Sequence, residues 1–410
     1  MKNLTIGVLF GTLLHENMGC NALNYSFLQC CDMIAKRNNA HFRYIFFWDI
    51  SNHYTRDDLP VELLRYDIEF IKVPESYLRL FLKGVIKDKM QSFLYFFQTV
   101  KRCDLFFDSC GGDSFSDIYG PYTLKYIGRN HSLLTLLNKS IVFLPQTIGP
   151  FATKEGERKA KKMIRNAQYI FVRDKISLSV VNKLVERDNT SQTLDMAFFL
   201  NYQPQKGNDS IERKRIGVSP SALLWHGGYT RNNQFNLKTD YQCVIKRTIE
   251  FLVDAGFQVV LLAHVLYGTA SKPREDDYWL CKRLKQMYPS CEIAPYFYTP
   301  MEAKSYISSL DGLLSSRMHC CIAAYSSCVP VFPLGYSRKF SGLFTDTLGY
   351  AYGADLRADE WGVIHSNLKN YVNNLARIKK ELEIQQEHIQ EEKNYFVNML
   401  EQSIIKCIGG

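Results

Sequence analysis

Residues Ser315 to Phe344 read SSRMHCCIAAYSSCVPVFPLGYSRKFSGLF, and this alternation of strand ends, cations and helix points to the class of fold. A largely apolar run, Leu310 to Leu314, stops where the segment begins, as a buried strand stops at its carboxyl edge. Arg317 and His319 follow at once, and Cys320 to Ser327 then carries small and apolar residues at helical spacing. Val329-Pro-Val-Phe-Pro333 reads as a second short buried strand that empties into Gly335-Tyr-Ser-Arg-Lys339. In open α/β sheets, ligands bind beyond the carboxyl ends of strands, near helix N-termini that favour anions. Cation clusters after two successive strand ends therefore predict one anion-binding crevice, with Arg317, His319, Arg338 and Lys339 converging on it. The plainer alternative is a surface loop whose cations are merely solvated.

The rest of the chain repeats the same grammar. Leu4 to Leu9 is a β-rich apolar run, followed by a loop from Gly11 to Gly19 and a helical pattern from Ala22 to Ile34. Strand, glycine loop and helix open a Rossmann-like unit, but HENMGCNAL lacks the dinucleotide spacing, so no nicotinamide cofactor is expected. Phe42 to Trp48 and Ile68 to Val73 read as further strands. Leu78 to Thr99 is amphipathic and reads as a core-facing helix, with membrane or partner contact as the alternative. Leu105 to Asp108 is a buried strand ending in Gly111-Gly112, where the backbone can turn tightly and display Asp113, Ser114 and Asp117. Ile141 to Leu144 ends in Pro145-Gln146, a helix spans Lys154 to Ala167, and Tyr169 to Val172 ends in Arg173-Asp174 before a helix that opens near Ser177. Such alternation predicts a doubly wound, mainly parallel sheet.

Asn201 to Arg215 is polar, without apolar period, and reads as a linker. The pattern then restarts with Ile216 to Ser219, a helix from Tyr241 to Ala255, the strand Gln258 to Ala263 ending in His264, and a helix from Tyr278 to Met287. Asn367 to Ile404 reads as one long charged helix that packs across one or both domains through Leu375, Ile378, Leu382 and Ile384. The expected division is an N-terminal Rossmann-like domain over 1–205, a second over 206–366 and a helical segment over 367–410.

Composition narrows the function classes. The 410 residues are 46% hydrophobic and 22% charged, as in a globular protein with room for two cores. A net charge of +9 suits nucleic acid, an anionic membrane surface or small phosphorylated substrates. The cations are spread along the chain without a block of like charge, which argues against a nucleic-acid stripe. Twelve cysteines include the adjacent pairs Cys30-Cys31 and Cys320-Cys321 but no CxxC, so neither a disulfide framework nor a metal cluster is expected. Reduced thiols, no signal-peptide core and no run of ~20 apolar residues predict a cytoplasmic protein, at most peripheral at the inner face of the membrane.

Taken in order, these strand-end motifs resemble the polysaccharide pyruvyl transferase family over nearly the whole chain. The resemblance rests on Asn17-Met-Gly19 with Ala22-Leu23, Gly111-Gly112-Asp113 through Gly120, Pro145-Gln146 with Gly149-Pro150, Val172-Arg173-Asp174 with Ser177, Asp195 with Ala197, His264, and Arg317-Met-His319 through Lys339. One departure is Cys20, which stands where the family's first loop often has Asp. The resemblance implies two Rossmann-like domains facing a cleft, as in glycosyltransferases of the B type. It also implies transfer of a pyruvyl group from phosphoenolpyruvate to two hydroxyls of a sugar, free or lipid-linked, to form a cyclic ketal.

A donor with a carboxylate and a phosphate calls for arginines offering paired hydrogen bonds. Arg317 matches the family's Arg-x-His element, with Arg173, Arg338 and Lys339 as helpers. His319 is the candidate general acid and base, because an imidazole titrates near neutrality; binding phosphate or capping a helix is its alternative role. Asp113, Asp117, Gln146, His264 and Asn17 are the acceptor-side candidates. Against these roles stand an Arg173–Asp174 pair, helix capping by Asp113 or Asp117, a loop brace at Gln146 and a satisfied strand-end His264. No redox cofactor is required by such chemistry. A nucleotide-sugar-dependent glycosyltransferase and a non-catalytic glycan-binding protein are the competing readings. Oligomeric state is not legible in the sequence.

Overall fold

The structure, a computed structural model, describes residues 3–48, 54–73, 87–118, 120–205, 213–268 and 274–408. Its strands form two sheets in which every named pairing is parallel. The first contains β1 (Asn3–Leu9), β2 (His41–Trp48), β3 (Asp67–Lys72), β4 (Leu105–Asp108), β5 (Ser140–Gln146), β6 (Tyr169–Val172) and β7 (Thr190–Gln192), in the spatial order 3-2-1-4-5-6-7. The second contains β8 (Arg215–Ser219), β9 (Gln258–Leu261), β10 (Glu292–Ile293), β11 (Gly312–Ser315), β12 (Val331–Gly335) and β13 (Ala354–Asp355), in the order 10-9-8-11-12-13. Both orders reverse direction once, between β1 and β4 and between β8 and β11. At those switch points the chain leaves neighbouring strands in opposite senses, which opens a ligand crevice at the carboxyl edge. In register, Leu9 lies beside Asp108 and Ser219 beside Ser315.

Strands such as Leu105–Asp108 and Tyr169–Val172 are buried at every position. Helices cover both faces of a parallel sheet, which is why these strands read as continuous apolar runs rather than alternating ones. The chain forms two compact units. One comprises residues 1–14, 23–196 and 392–410, and the other residues 15–22 and 197–391. The crossover therefore falls at Met196–Ala197, and the loop His15–Ala22 groups with the second unit. In the first unit, the end of the C-terminal helix is held by Phe396 against Phe171, with ring centroids 5.1 Å apart. In the second, Leu375, Ile378 and Leu382 of the same helix are buried, whereas Ile384, expected to pack with them, is exposed.

Several elements differ from the sequence reading. The helix Pro121–Leu136 was not legible, because Gly128, Asn130, His131 and Ser132 interrupt the apolar face that Leu124, Ile127 and Leu134 form. The C-terminal pattern is two helices, Trp361–Asn373 and Leu375–Ile408, parted at Asn374. A polar Asn does not stop a helix by composition alone; here its side chain donates to the Asn370 carbonyl (2.7 Å) and side-chain oxygen (2.9 Å), and its amide turns back to Tyr371 (3.1 Å). The amphipathic region is a helix over Lys87–Arg102, with Phe96 and Val100 in the core and Leu94 and Tyr95 exposed. Residues 78–86 of that expectation lie outside the described residues.

The strand that carries the site is anchored from behind. Tyr371, fully buried, accepts from the Leu313 amide (3.0 Å) and donates to the Pro330 carbonyl (2.8 Å), joining the start of β11 to the approach to β12. The phenol thus satisfies backbone groups that burial would otherwise leave costly.

Candidate active site

In the second unit the carboxyl end of β11 runs into the helix Met318–Tyr325, and Arg317 is its N-cap residue. The Ser315 hydroxyl accepts the Arg317 amide (2.9 Å), which fixes the turn out of the strand. Asp277, fully buried at the start of the helix Asp277–Met287, sets the arginine's direction. Arg317 donates from Nε to Asp277 Oδ2 (3.0 Å) and from Nη2 to Oδ1 (2.7 Å). The same carboxylate accepts the amides of Ala222 (2.9 Å) and Val265 (3.0 Å), so four donors surround it. Burial alone would lower the Arg317 pKa, but the Asp277 charge outweighs it and holds the guanidinium above its ordinary value. One edge of the fork is thereby fixed, and its remaining N–H groups face away from Asp277. Asp277 escaped sequence reasoning because Glu275-Asp276-Asp277 reads as an ordinary acidic helix start; the N-cap is in fact Asp276.

The loop His15–Gly19 lies against the segment after β9. Met18 donates to the His264 carbonyl (3.1 Å), Leu266 donates to the Glu16 carbonyl (2.8 Å), and Asn17 and Val265 form an antiparallel bridge. Asn17 accepts the Gly19 amide on its side-chain oxygen (2.9 Å), which shapes the turn into the helix Met18–Arg37. That oxygen is committed to the loop's own backbone. Gly19 packs directly on His319: a Cβ there would lie 2.3 Å from Nδ1 and 2.5 Å from Cγ. Only a residue without a side chain lets the imidazole sit against this backbone. The glycine in the Asn-Met-Gly motif is therefore a seat for His319.

His264 is buried beside this pair. Burial first, then the charges of His319 and Arg317, push its pKa down to about 3, so it is neutral at physiological pH. Its Nδ1 is buried without a hydrogen-bond partner among the described residues. Arg338 and Lys339 follow β12, where the sequence placed them, and both are half-buried. Tyr336, just before them, is close enough to act on the Arg317 charge, and Lys339 Nζ stands 5.7 Å from its ring centroid.

Candidates of the first unit have other partners. Arg173 is 2% exposed and donates to Asp195 Oδ2 (2.6 Å) and Thr147 Oγ1 (2.9 Å). Its ion pair is with Asp195 rather than Asp174, which instead caps the helix Lys175–Leu184 by accepting the Ser177 amide (2.7 Å). The Arg173 guanidinium is thus enclosed and held by Asp195 and Thr147. Asp117 accepts the amides of Ala152 (2.6 Å) and Thr153 (2.9 Å) and the Thr153 hydroxyl (2.7 Å). Burial would raise its pKa, but these bonds hold it below the usual carboxylate range. It clamps the entry to the helix Lys154–Asn166, not the helix directly after the glycine turn. Gln146 is fully buried and donates to the Asp108 carbonyl (2.9 Å), the part of a loop brace. Asp113 sits at the end of the Cys110–Gly112 turn, half-buried and within electrostatic reach of Arg173. Among the described residues no group of three or more His, Cys, Asp or Glu is placed to hold a metal ion. No described helix is long and apolar enough to cross a membrane.

Two Rossmann-like sheets in one chain define a two-domain α/β protein of the glycosyltransferase-B type. Solved structures share this fold across the chain: UDP-GlcNAc 2-epimerase from Methanocaldococcus jannaschii (TM-score 0.54, 11% identity, covering 90% of this chain and 92% of that one) is one. Another is UDP-GlcNAc 2-epimerase from Neisseria meningitidis bound to UDP-GlcNAc (TM-score 0.53, 12% identity, 98% and 99%). A third is the spinosyn rhamnosyltransferase SpnG (TM-score 0.51, 8% identity, 97% and 99%). At such identities the likeness is one of fold alone. The profile of the polysaccharide pyruvyl transferase family matches residues 39–338, and the chain belongs to that family. No curated protein sequence matches it.

Two outcomes test this geometry. Gly19→Ala is expected to leave the circular-dichroism spectrum of the protein unchanged while cutting turnover at least tenfold, since the methyl displaces the His319 ring; undiminished turnover would contradict the packing argument. His264 has a folded pKa below its unfolded value of 6.5, so it contributes nothing to stability changes above that pH and destabilises the fold as pH falls toward about 3. By pH 5 the loss attributable to it is about 2 kcal/mol. Urea midpoints at pH 7.5 and pH 5 should therefore converge in His264→Asn relative to wild type, and equal acid sensitivity of the two proteins would refute the assignment.

Proposed function

We propose that the protein moves the pyruvyl group of phosphoenolpyruvate onto two hydroxyls of a sugar, forming a cyclic ketal in the assembly of a cell-surface glycan such as a capsule or exopolysaccharide. The observation that carries the reading is the seat built for His319 by Gly19 beside an Arg317 fixed in direction by Asp277. A buried, oriented guanidinium suits a carboxylate or phosphate, which accept two parallel N–H groups. Arg338 and Lys339 add positive charge from the next strand end. His264, neutral at physiological pH, adds polarity without competing for the donor's anionic groups.

The chemistry balances without a redox step. One sugar hydroxyl gives its proton to the base and bonds to C2 of the donor, while the C2=C3 electron pair takes a proton from the acid at C3, which becomes a methyl group. The second hydroxyl then forms its bond to C2 as the C–O bond to phosphate breaks. Its proton leaves through the base, and the phosphate departs with the electron pair. His319 is the group assigned to these transfers, because an imidazole can both accept and deliver protons near neutral pH. All twelve cysteines are free thiols, and burial pushes Cys320 up to about 12, so the thiol beside His319 is inert. Free thiols support a reducing, cytoplasmic setting.

The test is phosphate release from phosphoenolpyruvate, with and without galactosyl, mannosyl and N-acetylhexosaminyl acceptors. Acceptor-dependent release by wild type that falls ~10²–10⁴-fold in His319→Ala is expected. Turnover of a nucleotide sugar with no release from phosphoenolpyruvate would overturn the proposal in favour of a glycosyltransferase.

A further inference from the structure

The first unit contains a cavity of about 340 Å³, lined by the helices Pro121–Leu136 and Lys154–Asn166, that none of the chemistry above uses. Lys125 and Arg129 face it from one helix, and Arg158, Lys159 and Lys162 from the other, with no carboxylate among the lining residues. Glu155, fully exposed nearby, pairs with Lys159 (2.6 Å) and is held below the usual carboxylate range by Lys159 first, then by Arg158 and Lys125. Among the described residues, five cations thus line a cavity whose lining holds no carboxylate. Lys125–Arg129 and Arg158–Lys162 are like-charge pairs four residues apart, an arrangement that weakens each helix on its own. Charges this close also lie within one Debye length at ordinary ionic strength, so water and salt relieve their repulsion only in part. A bound anion would relieve it.

Two further observations point into the same space. Gly128 lies in the interior of its helix and lines the cavity. A Cβ at Gly128 would meet only Met163, at 3.6 Å from Sδ, which is ordinary contact. Packing therefore does not demand glycine, although glycine weakens a helix interior relative to alanine. What a methyl group would take away is room in the cavity. His131, 2% exposed, also lines it. Its Nε2 is 2.6 Å from Asp108 Oδ2, and its Nδ1 is buried without a hydrogen-bond partner among the described residues.

We propose that this cavity binds a phosphate monoester or diphosphate group. Several cations in a pocket of this size match a compact, multiply charged anion, and the space is too small for a nucleic-acid helix. A soluble sugar phosphate and a lipid-borne phosphate share this chemistry, so the experiment carries both. Pyrophosphate is titrated calorimetrically into the full chain at constant ionic strength. In parallel, the protein is floated with phosphatidylcholine vesicles containing phosphatidate, or containing phosphatidylglycerol at equal surface charge. Arg158→Glu/Lys162→Glu alters exposed positions and is expected to weaken the binding at least tenfold. Gly128→Ala is expected to keep or raise the thermal midpoint while weakening the same binding severalfold. Saturable pyrophosphate binding lost in the double variant supports the site with a soluble ligand. Retention on phosphatidate vesicles alone, lost in that variant, supports it with a lipid-borne one. Identical behaviour of wild type and double variant toward both probes, or equal retention on both vesicle types without pyrophosphate binding, overturns it.

Discussion

The buried ion pair between Arg317 and Asp277 is the constraint on which the second unit's site depends. Taking both charges out of water is expensive, and a single contact does not offset it. Asp277 meets the cost with four donors: the amides of Ala222 and Val265 and both nitrogens of the Arg317 fork. Those donors come from the turn after β8, the segment after β9 and the turn after β11. One carboxylate thus ties together three strand ends around the switch point. Breaking such a pair typically costs about 3–5 kcal/mol, because the surviving charge stays buried without its partner. The same bonds fix the direction of the Arg317 guanidinium.

Around that pair the remaining parts are placed by backbone rather than by charge. The Met18 amide and the Glu16 carbonyl hold the loop His15–Gly19 against the His264 segment, and the absence of a side chain at Gly19 lets His319 dock. His264 is kept neutral by its surroundings, so it adds no positive charge beside His319. In the first unit the corresponding motif residues are braces. Arg173 answers to Asp195, Asp117 ties down the start of the helix Lys154–Asn166, and Gln146 holds the Asp108 carbonyl.

Much of the fold was legible because strand ends announce themselves. Short apolar runs bounded by Gly, Asp, Arg or His gave β1, β4, β6, β8 and β11 within a few residues. A helix whose apolar face is interrupted, Pro121–Leu136, was not legible, and neither was the break at Asn374, where a local side-chain bond decides against continuity. At the site, Arg317, His319, Gly19 and His264 stand in recognisable motifs. Asp277 does not: its role comes from tertiary placement forty residues before its partner, and an acidic helix start carries no sign of it. Arg173 misled for the same reason, since the sequence shows the neighbouring Asp174 and hides the distant Asp195.

If the Asp277 carboxylate is what aims Arg317 at the donor, the affinity for phosphoenolpyruvate should depend on a residue that need not touch it. Calorimetric binding of phosphoenolpyruvate to wild type, Arg317→Lys and Asp277→Asn decides the matter, with circular dichroism confirming that each protein is folded. The account predicts that Asp277→Asn, in which an amide replaces the acceptor of both arginine bonds, loses affinity at least tenfold and about as much as Arg317→Lys. Wild-type affinity in a folded Asp277→Asn protein would contradict it.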